Sequence, residues 1–162
     1  MSRREEITRQ ARILLEEQGE SSLTMRNLAS RLGIQAPSLY KHVSNRQEIE
    51  TLLSAEALLE MGEELSKEKD LESMGRAYRS WALANPALYR VATTKPLDRE
   101  NLPDGVEAAG AAALIDMLGG NRDRARAAWA MAHGLTLLEL DGRFPDDADI
   151  DAAWKAGLSA LG

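Results

Sequence analysis

The chain contains 162 residues, with 20 lysines and arginines against 26 aspartates and glutamates, and it has no cysteine. The lack of cysteine excludes disulfide bonds, thiol catalysis and thiolate metal sites. The amino end is charged, and no uncharged stretch approaches the roughly 20 residues that span a bilayer, so we expect a cytoplasmic protein with no membrane partner. Alternating strand patterns are scarce, and Ala, Leu, Glu and Arg dominate, which predicts an all-α fold.

The first predicted helix begins at a capping box, Ser2-Arg3-Arg4-Glu5, whose end residues each bond a backbone amide of the other. Four apolar residues then recur on one helical face, namely Ile7, Ala11, Leu14 and Leu15. We expect this helix to end at Gly19, because glycine commonly follows the last turn of a helix.

Residues 24–46 predict two short helices joined by a glycine turn, the pattern of a helix-turn-helix. Thr24 is a good amino-terminal cap for the first helix. Gly33 falls where that helix must stop, because glycine adopts the left-handed backbone conformation without steric cost. Pro37 suits the first turn of the second helix, where an amide would lack a partner anyway. The predicted buried residues are Leu28, Ala29 and Leu32 in the first helix and Leu39 and Val43 in the second.

Residues 23–29 (LTMRNLA) and 37–43 (PSLYKHV), followed by Asn45-Arg46, resemble the DNA-binding head of TetR-type transcriptional regulators. Further along, Trp129 and His133-Gly134 are similar to a Trp and His-Gly signature in the regulatory domain of one TetR subgroup. The resemblance implies a three-helix head joined to a C-terminal helical domain for ligand binding and dimerisation. It also implies a homodimeric repressor that a small-molecule effector releases from a palindromic, double-stranded DNA operator.

The charge distribution agrees with a DNA-binding head. Residues 1–46 hold eight basic against five acidic side chains, whereas the remainder holds 12 against 21. The head therefore has a net charge of +3 and the body −9. A positive head attracts phosphates, and an acidic body discourages DNA from docking elsewhere on the protein.

The predicted DNA-binding residues lie in and beside the second helix of the helix-turn-helix. Cations and hydroxyls would bind phosphates. Gln35 suits an adenine edge, Ala36 a thymine methyl, and Ser38 several bases, and which of them contacts a base depends on where the helix begins. Tyr40 and His42 have a second interpretation as packed or solvated side chains. The full set is Thr24, Arg26, Gln35, Ala36, Ser38, Tyr40, Lys41, His42 and Arg46.

Six further helices are predicted, giving about nine in all. A second capping box, Ser44 to Gln47, begins a long connecting helix, near which we place the boundary between a head at 1–48 and a body at 49–162. The remaining predicted helices cover 71–84, 86–94, 106–118, 121–140 and 149–161, with an irregular loop at 95–105.

The last two helices predict self-association. Residues 127–138 are apolar nearly all round, and a helix without a polar face must be covered on every side. A glycine inside a helix costs about 1 kcal/mol relative to alanine, so a close helix crossing would explain Gly134. The alternative is burial inside one monomer. The predicted dimer interface is Gly134, Leu137, Trp154, Leu158 and Leu161.

A ligand cavity is expected in the body. Met74, Tyr78 and Trp81 share one helical face, and further apolar side chains are expected to converge on it. The alternative is an ordinary hydrophobic core, with His133 as a core or interface histidine. The predicted ligand-binding set is Met74, Tyr78, Trp81, Tyr89, Leu114, Met117, Trp129 and His133.

Catalysis is the competing class of function, and the sequence disfavours it. There are two histidines, and no HExxH, GxSxG or phosphate-binding glycine loop. His133, Glu139 and Asp141 do not share one helical face, so we expect no metal and no cofactor. The alternative function is a helical protein-interaction module that has lost sequence-specific DNA binding.

Overall fold

A computed structural model describes residues 2–161, and within that range the chain forms nine α-helices, one 3₁₀ turn and no strand. The prediction of an all-α fold is therefore confirmed. The helices are α1 Arg3–Gln18, α2 Met25–Arg31, α3 Ala36–Leu39, α4 Arg46–Ser66, α5 Leu71–Ala84, α6 Pro86–Thr93, α7 Val106–Met117, α8 Arg122–Leu140 and α9 Ile150–Ser159, and the 3₁₀ turn is Glu20–Ser22.

The chain divides into two compact units. The first contains the residues up to Leu58 together with Asn85–Glu107, and the second contains Leu59–Ala84 and the residues from Ala108 onward. Helix α6 packs against α1 and so belongs to the first unit, and the predicted domain ranges 1–48 and 49–162 stay a prediction.

The first unit is built around α1. Its Ser2 capping box is present, and the helix is followed by Gly19 at φ 78°. The four predicted apolar residues of α1 are all buried. Arg12 projects from the same helix, pairs with Glu56 of α4 at 2.5 Å and donates to Asn85 Oδ1 at 3.1 Å. One guanidinium thereby ties α1 to α4 and to the residue that precedes α6.

The cap of α4 differs by one residue from the prediction of a Ser44 to Gln47 box. Asn45 Oδ1 accepts the Glu48 amide at 2.9 Å, and Glu48 Oε2 accepts the Ser44 amide at 2.7 Å. The Ser44 amide bond lowers the pKa of Glu48. A carboxylate accepts a backbone amide more strongly than the neutral Gln47 amide would, which favours the shifted arrangement.

The second unit packs α5 against α8 and α9. One face of α5 is buried and carries Met74, Gly75, Tyr78, Trp81 and Ala82. Arg79 lies beside this face and donates to both carboxylate oxygens of Glu139 at 2.7 and 2.8 Å, and to Asp151 at 2.5 Å. These hydrogen bonds, those from Glu139 above all, raise the pKa of Arg79. Arg79 therefore links three helices through one planar group.

Replacing Arg79 with methionine is expected to lower the free energy of unfolding by about 2 kcal/mol, because Glu139 is left half-buried without its bidentate partner. Urea titration followed by circular dichroism measures the change. Arg76→Met is the matched control, since Arg76 lies one turn earlier in an exposed pair with Glu72. Exposed pairs of this kind contribute about 0.5 kcal/mol or less. Equal losses in the two variants would contradict the role assigned to Arg79.

Candidate nucleic-acid interface

The helix-turn-helix forms as predicted through its glycine turn. Thr24 caps α2 by accepting the Asn27 amide at 3.1 Å. Gly33 has a φ of 65°, and the Ile34 amide then bonds the Ala29 carbonyl at 3.0 Å, which closes the end of α2. Leu28 and Leu39 are fully buried, so the two short helices pack through these residues. The turn and the apolar residues together fix the angle between α2 and α3.

The second helix of this unit is shorter than predicted. It ends at Leu39, and residues 40–42 form a turn in which the His42 amide bonds the Leu39 carbonyl at 2.9 Å. Lys41 and His42 thus lie in a turn rather than on the helix. The chain forms a turn here instead of continuing the helix, because Ser44 and Asn45 already belong to the cap of α4.

The predicted DNA-binding residues are accessible to differing degrees. Tyr40 has 53% of its surface exposed, although a large aromatic side chain is usually covered. The other exposed members are Arg26, Gln35, Lys41 and His42, and the half-buried members are Thr24, Ala36, Ser38 and Arg46. Each of these residues is therefore available for contact, and their contacts with DNA remain a prediction.

The cations of the first unit fall into two classes. Arg9, Arg26 and Lys41 have no ion pair or side-chain hydrogen bond within residues 2–161. Arg31 instead pairs with Glu17 at 2.6 Å, and Arg46 pairs with Glu50 at 2.7 Å. The first class can bind a phosphate without breaking an existing contact, whereas the second already has carboxylate partners.

Sequence reasoning missed the partners of Arg46. Glu50 follows Arg46 by four residues on α4, a spacing at which helical ion pairs form, so the sequence could have predicted this ion pair. Glu20 and Lys95 complete the group, but they come from the 3₁₀ turn and from the loop after α6. No local pattern predicts contacts over such sequence separations.

The residues predicted to bind a ligand are only partly brought together. Met74, Tyr78 and Trp81 are buried on α5, and Leu114 packs beside the buried Leu118. The remaining members are the half-buried Met117, the half-exposed Trp129, the partly buried His133, and Tyr89, which is buried in the first unit.

The second unit contains two buried polar atoms that have no hydrogen-bond partner among the described residues, Thr136 Oγ1 and Trp154 Nε1. The Trp154 ring packs on Tyr78 with centroids 6.5 Å apart. Trp129 stacks on His133 at 5.9 Å, and burial lowers the pKa of His133. A buried donor without a partner is costly, so a polar partner would stabilise each of these atoms.

Trp154 and Leu158, which were predicted to lie in a dimer interface, are buried within the second unit. Trp154 contacts Tyr78, and the Leu158 side chain occupies the space that a Cβ at Gly75 would need. They retain 5% and 8% of their surface. The other predicted interface residues, Gly134, Leu137 and Leu161, are partly exposed.

Two cavities lie in the first unit, and none of the predicted ligand residues lines either. A small polar cavity of about 10 Å³ adjoins Glu50, Thr51 and Lys95. An open groove of about 500 Å³ runs beside the start of α1 and is lined by Ser2, Arg4, Glu5, Thr8, Arg9, Leu52 and Glu56.

Two family models match the chain. The amino-terminal model of bacterial regulatory proteins of the tetR family matches residues 7–49, which include the whole helix-turn-helix. A model of tetracyclin repressor-like C-terminal domains matches residues 71–161. The chain belongs to the TetR family.

Individual members of the TetR family are similar to this chain over much of its length. An HTH-type transcriptional regulator of Mycobacterium tuberculosis is 31% identical over 93% of this chain and 76% of its own length. The class C tetracycline repressor protein of Escherichia coli is 34% identical over 65% of this chain but only 46% of its own length. The crystal structure of a TetR variant from Acinetobacter baumannii AYE, in complex with minocycline, is 27% identical, covers 99% of this chain and 94% of that chain, and has a TM-score of 0.68.

Because the chain belongs to the TetR family, the protein is a helix-turn-helix transcriptional regulator. The members of this family are regulators rather than enzymes. No group of three His, Cys, Asp or Glu side chains in residues 2–161 is arranged to hold a metal ion. Every helix within that range is too short or too polar to span a lipid bilayer. The subgroup signature at Trp129 and His133-Gly134 stays a prediction.

Proposed function

We propose that the protein is a homodimeric repressor that binds a palindromic operator and is released by a small molecule. The observation that carries the proposal is the exposed end of the helix-turn-helix, where Arg26 and Lys41 have no protein partner among residues 2–161. Two such heads about 34 Å apart enter successive major grooves on one side of a duplex. Tetracycline repressor proteins are among the relatives, which supports repression as the direction of control.

Affinity and sequence preference come from different residues in this proposal. Lys41 and Arg26 bind phosphates, which positions the head without reading sequence. Base edges are contacted by three residues that precede the buried Leu39, namely Gln35, Ala36 and Ser38. Few groups read bases, so a dimer that doubles the contacts is needed for useful specificity.

A second copy of the chain covers the exposed face of α8. Leu138 lies one turn from Gly134 on this face and keeps 44% of its surface exposed. A Cβ placed on Gly134 meets no atom within 4 Å, so the glycine is not required by packing inside the chain. A close crossing with the same helix of a partner accounts for it.

Gly134→Leu is therefore expected to convert the dimer to a monomer while the fold is retained. The added side chain has room within the chain but separates two closely crossing helices. Sedimentation velocity over a range of concentrations measures the association. Ala112→Leu, which adds similar bulk at an exposed position of α7, serves as the control and should remain dimeric. A Gly134→Leu variant that sediments as an unaltered dimer contradicts the proposed crossing.

The effector binds in the second unit, near the aromatic face of α5. Tyr78, Trp81 and Trp154 offer an apolar lining, and the unpartnered Thr136 Oγ1 and Trp154 Nε1 offer polar contacts. A related TetR variant is bound to minocycline, which supports a small-molecule effector. Such a ligand must favour the released state over the DNA-bound state by a few kcal/mol to act as a switch.

Selection of bound duplexes from a random library tests the proposal. The expected result is enrichment of a palindrome, because a twofold dimer recognises two inverted half-sites. If the folded protein shows no preference for any duplex at low ionic strength, the DNA-binding proposal fails. The alternative of a protein-interaction module would then be favoured.

A further inference from the structure

The first unit contains a four-residue ion-pair cluster, which joins the start of α4 to the loop after α6. Lys95 Nζ lies 2.5 Å from Glu20 Oε1 and 3.0 Å from Glu50 Oε1. Arg46 Nε lies 2.7 Å from the same Glu50 oxygen, and its Nη2 lies 3.4 Å from Glu20 Oε1. Two cations thus share two carboxylates, and the cluster is neutral as a whole.

Lys95 compensates a carboxylate that is almost wholly buried. The Glu50 side chain retains 8% of its surface, and a buried carboxylate is stable only when cations and donors surround it. The hydrogen bond from Lys95 lowers the pKa of Glu20, and the bond to Glu20 raises the pKa of Lys95. Glu20 and Lys95 are therefore both held in their charged forms.

Arg46 keeps part of its binding capacity in this arrangement. Its Nε edge is fixed by Glu50, whereas Nη1 makes no hydrogen bond within the described part of the chain. The side chain is 40% exposed. A guanidinium has five donors in a planar fork, so one edge can be anchored while the other binds a phosphate.

We propose that Lys95 is a positioning residue for DNA binding, which neutralises Glu20 and Glu50 so that Arg46 can bind a backbone phosphate. The inference rests on the proposed DNA-binding function. Without Lys95, two carboxylates face one guanidinium. They hold Arg46 more closely, and their excess negative charge repels the phosphate.

The test measures binding of the full-length protein to a fluorescein-labelled, mixed-sequence duplex by anisotropy, across a series of salt concentrations. Lys95→Gln is expected to weaken binding about tenfold and to make the slope of log K against log salt shallower by about 2 per dimer, as two phosphate contacts are lost. Arg99→Gln is the matched control. It removes the same charge from the same loop, but Arg99 pairs with the exposed Glu107 instead of the cluster.

Two double variants separate positioning from a general change of charge or stability. Glu20→Gln added to Lys95→Gln is expected to restore both affinity and slope, because it restores the neutrality of the cluster. In an Arg46→Gln background, Lys95→Gln should have no further effect on the slope. Equal effects of Lys95→Gln and Arg99→Gln, or a slope change that persists without Arg46, would overturn the role of Lys95. Absence of wild-type binding to any duplex would instead mean that the proposed DNA-binding function is wrong.

Discussion

Gly62→Ala is expected to lower the free energy of unfolding by about 2–3 kcal/mol, at the upper end of the usual cost of overpacking. A Cβ at this position of α4 would lie 2.9 Å from Gly110 Cα and 3.1 Å from the Ala109 carbonyl oxygen of α7. Both neighbours are backbone atoms and cannot rotate away. The two helices must therefore separate, which removes van der Waals contacts along their crossing.

Gly157→Ala is the matched control for this prediction. A Cβ on Gly157 of α9 would also be crowded, at 2.8 Å, but its neighbour is the sulfur of Met131. A methionine side chain has several rotatable bonds and can move aside, and the alanine gains helix propensity worth up to about 1 kcal/mol. Urea titration of both variants measures the difference. Equal destabilisation would show that the backbone contact of Gly62 is not the cause.

The same contact illustrates what sequence patterns could and could not predict. A run of alanine and glycine such as that in α7 can leave space for a ligand, but at Gly110 it accommodates the close approach of Gly62. Small residues permit either outcome, and only the placement of a second helix decides between them. The contacts of Trp154 and Leu158 with α5 were missed for the same reason, since a helical stripe shows which face is apolar but not what covers it.

Local signals predicted the helix-turn-helix closely. Thr24, Gly33 and Pro37 act through the backbone of their immediate neighbours, so their effects do not depend on distant residues. The predicted length of α3 was wrong. The cap of α4 begins only five residues after Leu39, the last residue of α3, so the chain between the two helices has room only for a turn. Ion pairs such as Lys95 with Glu20 could not be predicted, because they depend on how the loop after α6 returns to the head.

Lys41→Ala is expected to weaken binding to all duplex sequences by roughly 10- to 100-fold, and to make the salt slope shallower by about 2 per dimer. Lys41 is exposed and has no ion pair within residues 2–161, so its ammonium group can contact a phosphate directly. A phosphate contact carries no sequence information, and the rank order of bound sequences should stay the same. Anisotropy titrations of the selected palindrome and of a scrambled duplex measure both effects.

Arg9→Ala is the control, since Arg9 is likewise exposed and unpaired among the described residues but lies on α1, outside the helix-turn-helix. Both variants lower the net charge of the head by the same amount. If the positive field of the head alone attracted DNA, they would weaken binding equally. A direct contact predicts that only Lys41→Ala changes the slope, because counterions are released where a cation meets a phosphate. An unchanged slope in Lys41→Ala would remove Lys41 from the phosphate-binding set, and a changed slope in Arg9→Ala would place α1 at the DNA.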